Sequence, residues 1–234
     1  MRTLAVLPIK RFDAAKQRLA DALPGGSRQA LVLAMYSDVL VALRHAESVD
    51  AVAVVTADPL AQARVRAEGA LLLEDPDQAG QSAATRIGIE HALTEGYDRV
   101  LLVPGDTPLL DPLELDALLD RAAGDGLEAL IVPDRHGTGT NALLLRPPDA
   151  MAPSFGHGSL ERHVGAAEHA GLRARVERPE SLLHDVDTPD DLAVLRDVLD
   201  GRRGLAPMTR GALAQIDRAR APFPLADRSS SVEV

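Results

Sequence analysis

Residues 100–123 read VLLVPGDTPLLDPLELDALLDRAA. The apolar run 100–104 has the length and uniformity of a strand buried on both faces, as in a parallel sheet. Gly105 lets the backbone turn, and Asp106 follows at the rim. Asp111-Pro112-x-Glu114 has the form of a helix start: an aspartate cap, a proline at the first position and a glutamate closing a capping box. A helix over 113–123 completes the unit. The same pattern extends to both sides. Strands are expected at 4–8, 51–56, 70–73, 129–133 and 142–145, and helices at 59–67 and 82–94. Leu31, Met35, Val39 and Leu43 recur at every fourth position, one face of another helix. Strand–helix alternation over about 200 residues implies an α/β domain with a mostly parallel central sheet covered on both faces. Ligands of such sheets bind beyond the carboxyl ends of strands, so the segments after those ends are where chemistry is sought.

Composition narrows the function classes. The chain has 234 residues, 46% of them hydrophobic, enough for one large core. There is no cysteine, which excludes disulfides and thiolate metal sites. Any metal must bind through oxygen or imidazole. Aromatics are 2% and the net charge is -10, which together argue against a nucleic-acid surface. No run of about 18 apolar residues appears, and a cytoplasmic protein is expected. Residues 1–200 read as the catalytic-size domain. Residues 201–234 carry six arginines against Asp217, Asp227 and Glu233, a balance of +3 that leaves -13 on the rest. This basic tail reads as an appendage, helical near 205–216 and frayed at its SSSVEV end.

Four segments carry residues suited to chemistry. LPIKRFDAAKQRL, residues 7–19, follows the first strand and places Lys10, Arg11, Lys16 and Arg18 in one loop. Such a cluster suits a polyphosphate, although the glycines and GK[ST] of a Walker loop are absent. Asp106, unlike Asp111, has no capping role and is a candidate Mg²⁺ ligand. HDVDTPDDL, residues 184–192, holds Asp185 and Asp187 just upstream of a helix start at Thr188 and Pro189. At strand spacing the two carboxylates point the same way, which favours a cation between them. SFGHGSLERHV, residues 154–164, frees the backbone at Gly156 and Gly158 and offers Ser159 as a helix cap at an anion-binding dipole end. HGTGTNALL adds Thr138 and Thr140 in a glycine-containing loop. The seven histidines form no HxxxH pair, and G-x-S-x-G is absent, which argues against a zinc site and the common hydrolase elbow.

Together, VLPIKRFDAAKQRL, LLVPGDTPLLDP, GTGTNALL, SFGHGSLERH and HDVDTPDDL resemble the phosphoenolpyruvate or 2-phospho-L-lactate guanylyltransferases of coenzyme F420 biosynthesis. The resemblance runs from about residue 2 to residue 198. It implies a GT-A-like, Rossmann-related fold and GMP transfer from GTP to the phosphate of a small acid. It implies Mg²⁺ held by Asp106, Asp185 and Asp187, with Lys16 as the triphosphate clamp helped by Lys10 or Arg18. It places the acceptor at Thr140, Gly156 and Ser159. Gln81 and Ser82 stand where relatives read Leu-Asn beside the nucleotide. The expected partners are GTP and phosphoenolpyruvate or 2-phospho-L-lactate, with a homodimer and a downstream F420-pathway transferase as further candidates. A nucleotidyltransferase for a sugar phosphate or molybdopterin, a glycosyltransferase and a non-catalytic nucleotide-binding domain are the competing readings.

Overall fold

A computed structural model of the chain describes residues 1–12 and 15–220. The expected frayed end at 221–234 lies outside the described residues. The strands are β1 (Thr3–Ile9), β2 (Ala51–Thr56), β3 (Leu71–Leu73), β4 (Arg99–Leu102), β5 (Ala129–Pro133), β6 (Thr140–Leu145) and β7 (Ala174–Val176). The helices are α1 (Gly25–His45), α2 (Pro59–Glu68), α3 (Gln81–Thr94), α4 (Pro112–Gly124), α5 (Ser159–His169), α6 (Pro189–Gly201) and α7 (Pro207–Arg220). Among the described residues no helix is long and apolar enough to cross a membrane.

The strands form one seven-stranded sheet in the order β3-β2-β1-β4-β6-β5-β7. Pairing is parallel except where β6 runs antiparallel between β4 and β5. Only residues 134–139 separate β5 from β6, too few for the crossover a parallel neighbour needs. Side chains alternate between two cores. Ala5, Leu7, Val52, Val54, Leu101 and Val103 face one core with α1, α4 and α6. Leu4, Val6, Ala53, Val55, Val100 and Leu102 face the other, with α3 and α5. This is the expected three-layer α/β arrangement. On α3, Gly88 lies so close to β1 that an added Cβ would sit 2.3 Å from a Val6 methyl carbon.

The chain leaves β1 toward β2 and β3 on one side, whereas β4 joins on the other side of β1. The strand order therefore switches between β1 and β4, and the loops after these two strands flank a crevice. Because β6 is antiparallel, its first residues reach the same edge. The topology thus brings residues 10–12, 15–24, 103–111 and 140–141 together from distant parts of the sequence.

Several local expectations change. Strand β7 is not legible in GLRARVERP because all three of its residues are exposed at a sheet edge, where charged side chains discourage pairing with another chain. Asp111 caps α4 by accepting from the Leu113 N–H, but Glu114 closes no capping box. Its carboxylate instead accepts from the backbone N–H groups of Glu180 (2.9 Å) and Ser181 (2.8 Å). The segment read as an appendage contributes Thr209, Leu213 and Ile216 to the interior. Helix α7 packs on α1, and buried Asp38 of α1 accepts from the N–H groups of Met208 (3.1 Å) and Thr209 (2.8 Å) at its start. Leu213, only 4% exposed, belongs to the same core as α1. Leu213→Ala is expected to cost about 2–5 kcal/mol, read as a lower urea midpoint at unchanged slope. An unchanged midpoint would show that α7 is dispensable to the fold.

Candidate active site

Lys16 lies at the centre of the crevice. Its ammonium donates to Asp106 in the loop after β4 and to Asp187 before α6. Lys16 is a non-glycine residue in the left-handed region, with φ 52° and ψ 44°. Such a conformation is disfavoured and persists where the surroundings hold it, as the two carboxylates do here. Burial alone would lower the lysine's pKa, but the charges of Asp106 and Asp187 outweigh it and raise the pKa. The side chain is therefore a permanent cation.

Backbone and caps place these groups. Val186 is fully buried, and its N–H donates to the Asp106 carbonyl at 3.1 Å. That bond ties the DVD segment to the turn after β4. With Val186 directed into the core, Asp185 and Asp187 are turned to the opposite side of the extended backbone. Asp191 then fixes the segment's end. It accepts from the N–H groups of Asp187 (3.1 Å) and Thr188 (2.8 Å), closes a capping box with Thr188, and pairs with Arg135. A Cβ on Gly105 would meet the terminal methyl of Ile9, so glycine lets the turn approach β1 without displacing that side chain. Asp58 anchors the first loop. One of its oxygens caps α2 through Leu60 and Ala61, while the other accepts from the Phe12 N–H at 2.9 Å.

Asp106 has one oxygen on Lys16 and the other, Oδ1, buried without a hydrogen-bond partner. Asp185 accepts from the Asn141 side chain at 3.2 Å. Burial, then the charge of Asp106, push its carboxyl up to about 6. Asp106 and Asp187 thus share one ammonium, and Asp185 feels the charge of both acids. Among the described residues no three acidic or imidazole groups converge as a ready-made metal cage.

The crevice opens into a cleft of about 460 Å³ lined by Lys10, Arg11, Lys16, Asp75, Gln81, Asp106 and Asp187, among others. Arg18 is exposed on the short turn after Lys16 and is not among the lining residues. Thr140, Gly156 and Ser159 form a separate group beside α5. The Ser159 hydroxyl lies 3.1 Å from that of Thr140. Ser159 is not the helix cap expected from sequence: Gly158 holds that position, with φ 71°, and no side chain caps the helix. The Ser159 hydroxyl is engaged with Thr140 instead. Asp58, Asn141 and His163 were not legible as site residues. Asp58-Pro59 carries the same cap signal as Asp111-Pro112, but nothing in the sequence links it to the first loop.

The folded protein holds the Asp185 proton more tightly than the unfolded chain does. Ionising it therefore weakens the fold as pH rises from about 4 to about 6, and the cost is complete above that range. Asp185→Asn keeps an oxygen for Asn141 and removes the charge. In chelating buffer near pH 7.5 it is expected to raise the Tm by about 2–4 °C, with the gain vanishing near pH 4. A Tm equal to or below the parent's at pH 7.5 would contradict this reading of the carboxylate cluster.

Residues 3–202 match the family described as guanylyl transferase CofC like. A phosphoenolpyruvate guanylyltransferase of Conexibacter woesei is 52% identical over 93% of this chain and 98% of its own. A 2-phospho-L-lactate guanylyltransferase of Methanothermobacter thermautotrophicus is 35% identical over 82% of this chain and 83% of its own. The fold is shared with a protein assigned as a nucleotide-diphospho-sugar transferase from Desulfovibrio desulfuricans G20. There the TM-score is 0.71 at 19% identity, covering 93% of this chain and 98% of that one. The lysine-bridged aspartates at the β1/β4 switch point thus sit in a nucleotidyltransferase fold, and the chain belongs to the CofC-like guanylyltransferase family.

Proposed function

We propose that the protein transfers GMP from GTP to the phosphate of phosphoenolpyruvate, with 2-phospho-L-lactate as the second acceptor to test, and releases pyrophosphate. The observation that carries this reading is Lys16 held between Asp106 and Asp187 at the mouth of a cleft with further cations. A phosphate oxygen of the acceptor forms the new bond to the α-phosphorus of GTP, and the bond to the pyrophosphate oxygen breaks. A phosphate monoester has a second pKa of about 6 and is largely dianionic at neutral pH, so the nucleophile needs no general base. The task is to bring two polyanions together and to stabilise the charge that develops on the leaving group.

Lys16, Lys10 and Arg11 supply positive charge on the cleft wall, with Lys16 the triphosphate clamp. Mg²⁺ fits the acidic side. Asp106 offers an unpartnered buried oxygen, Asp187 lies across Lys16 from it, and Asp185 is an acid destabilised by its neighbours. Mg²⁺ takes one or two carboxylates together with phosphate oxygens and water. Bound there, it would neutralise phosphate charge. Thr140, Gly156 and Ser159 orient the acceptor. The product's diphosphate bond is the activated link that a downstream F420-pathway transferase would consume. The cytoplasm, where GTP is made, is the proposed place of action.

The test is pyrophosphate release across a grid of nucleoside triphosphates and phosphoacids, with the product identified by mass. GTP with phosphoenolpyruvate is expected to be the best pair. A sugar phosphate as best acceptor, or GTP binding without turnover, would displace the proposal. Asp187→Asn is expected to keep the parent's circular dichroism and lose about 100-fold or more in kcat. Full Mg²⁺-dependent turnover in that variant would remove Asp187 from the metal site. For Ser159→Ala the expectation is a rise of about fivefold in acceptor KM, exceeding any change for GTP. Equal effects on both substrates would contradict an acceptor role.

A further inference from the structure

His163 on α5 is fully buried, yet no sequence motif singles it out. Both ring nitrogens are engaged. Nε2 lies 2.8 Å from the backbone nitrogen of Ser154, and Nδ1 lies 2.9 Å from the Thr140 hydroxyl oxygen. The Phe155 ring packs against the imidazole in an edge arrangement at 5.2 Å between centroids. Burial, then the neighbouring charge of Arg162, lower the histidine's pKa to about 4, so the ring is neutral at physiological pH.

These contacts dictate the tautomer. A backbone N–H can only donate, so Nε2 accepts and carries no proton. In the neutral ring the proton then sits on Nδ1, which donates to Thr140 Oγ1. Thr140 cannot spend its hydroxyl proton on the histidine. Thr140 and Ser159 hold two hydroxyl protons between them and share one in their mutual hydrogen bond at 3.1 Å. One O–H of the pair therefore remains available as a donor. A histidine of the opposite tautomer would take that proton for itself.

The backbone explains how Thr140 comes to face α5. Along β6, Ala142 and Leu144 face the α1 core, whereas Leu143 and Leu145 face the α5 core. Strict alternation would send Thr140 to the α1 side. Pairing with β5 shifts register here, since Val132 opposes Ala142 and Pro133 opposes Thr140, leaving Asn141 as an extra residue. A bulge of this kind re-aims the side chains beside it. Thr140 thereby reaches His163, and Asn141 reaches Asp185.

The same histidine fastens the loop before α5. Arg162 holds that loop too, through the Ser154 hydroxyl (2.9 Å) and the carbonyls of His157 (2.6 Å) and Ser154 (3.0 Å). The Phe155 N–H donates to the Ser82 hydroxyl at 3.0 Å, in the first turn of α3 beside the nucleotide cleft.

We infer that His163 is a positioning residue that locks the Thr140–Ser159 pair as a hydrogen-bond donor to an anionic oxygen of the acceptor, acting through its Nδ1–H while Nε2 holds the loop at Ser154. This inference rests on the acceptor site proposed above. The donor is fixed by a neutral ring, so recognition of the acceptor is insulated from histidine titration.

The test compares His163→Asn, His163→Gln and His163→Leu. Asparagine can place an N–H where Nδ1 stands, whereas glutamine reaches the Nε2 position and leucine offers neither. Parent enzyme, GTP and phosphoenolpyruvate are assayed first. Absence of pyrophosphate release there would defeat the proposed function itself, not the role of His163. With an active parent, His163→Leu and His163→Gln are expected to raise acceptor KM about 5- to 20-fold with GTP KM within about twofold of the parent, and His163→Asn to recover most of the loss. Unchanged acceptor KM in folded His163→Leu, or equal losses in the asparagine and glutamine variants, would overturn the inference. Nitrogen-15 spectra of the parent imidazole supply a readout independent of variant folding. They are expected to show an Nδ1-protonated neutral ring from about pH 8 down to about pH 5.5. An Nε2-protonated or titrating ring in that range would equally overturn it.

Discussion

One ammonium between two carboxylates organises the catalytic edge of this protein. Lys16 arrives from the loop after β1, Asp106 from the loop after β4 and Asp187 from the segment before α6. Without the lysine, the acids would repel at a place where Asp185 already ionises reluctantly. Desolvation makes such a cluster costly unless opposite charge is held within it, which a strained left-handed lysine accomplishes. The arrangement leaves Asp106 with an oxygen still unpartnered. A site that keeps more negative than positive charge and an unsatisfied acceptor is suited to receiving a cation-bearing ligand.

The remaining structure can be understood as support for that edge. Val186 buries itself and bonds to the Asp106 carbonyl, so the segment carrying Asp185 and Asp187 cannot move independently of the turn after β4. Gly105 lets this turn lie against Ile9. Asp58 joins the first loop to the start of α2. On the other face of the sheet, Arg162 and His163 use consecutive positions of α5 to hold the loop that precedes it. Ser82 accepts from the Phe155 N–H and so links the first turn of α3 to the loop before α5. Helix α7 braces α1, the helix that follows the first loop, from the far side of the sheet's larger core.

Much of this was legible in the chain. Apolar runs such as 100–104 and 129–133 marked strands, because a strand covered on both faces must be apolar at every position. Thr188-Pro189-x-Asp191 marked a helix start, because the cap chemistry is local. Lys16 and Asp106 were named from their places after strand ends and Asp187 from its Asp-x-Asp spacing before a helix start, and the three do meet. The reading failed where a residue's partner lies far along the chain. Glu114 looks like a capping-box member but bonds to Glu180 and Ser181. Ser159 looks like a cap but turns to Thr140. His163 looked like one more scattered histidine, although it is fully buried and hydrogen-bonded through both nitrogens.

By itself, then, the sequence determined the buried strands, most helices and the rim positions, since periodicity, caps and turn glycines act over a few residues. It also settled the family through motifs that keep their order along the chain. Only the tertiary structure decided the antiparallel β6, the bulge at Asn141, the lysine shared by two aspartates and the tautomer of His163. Each of these depends on which groups separated by tens of residues share one desolvated volume, where hydrogen bonds and charges must be satisfied together. That condition belongs to the packed molecule and has no counterpart in the spacing of residues along the chain.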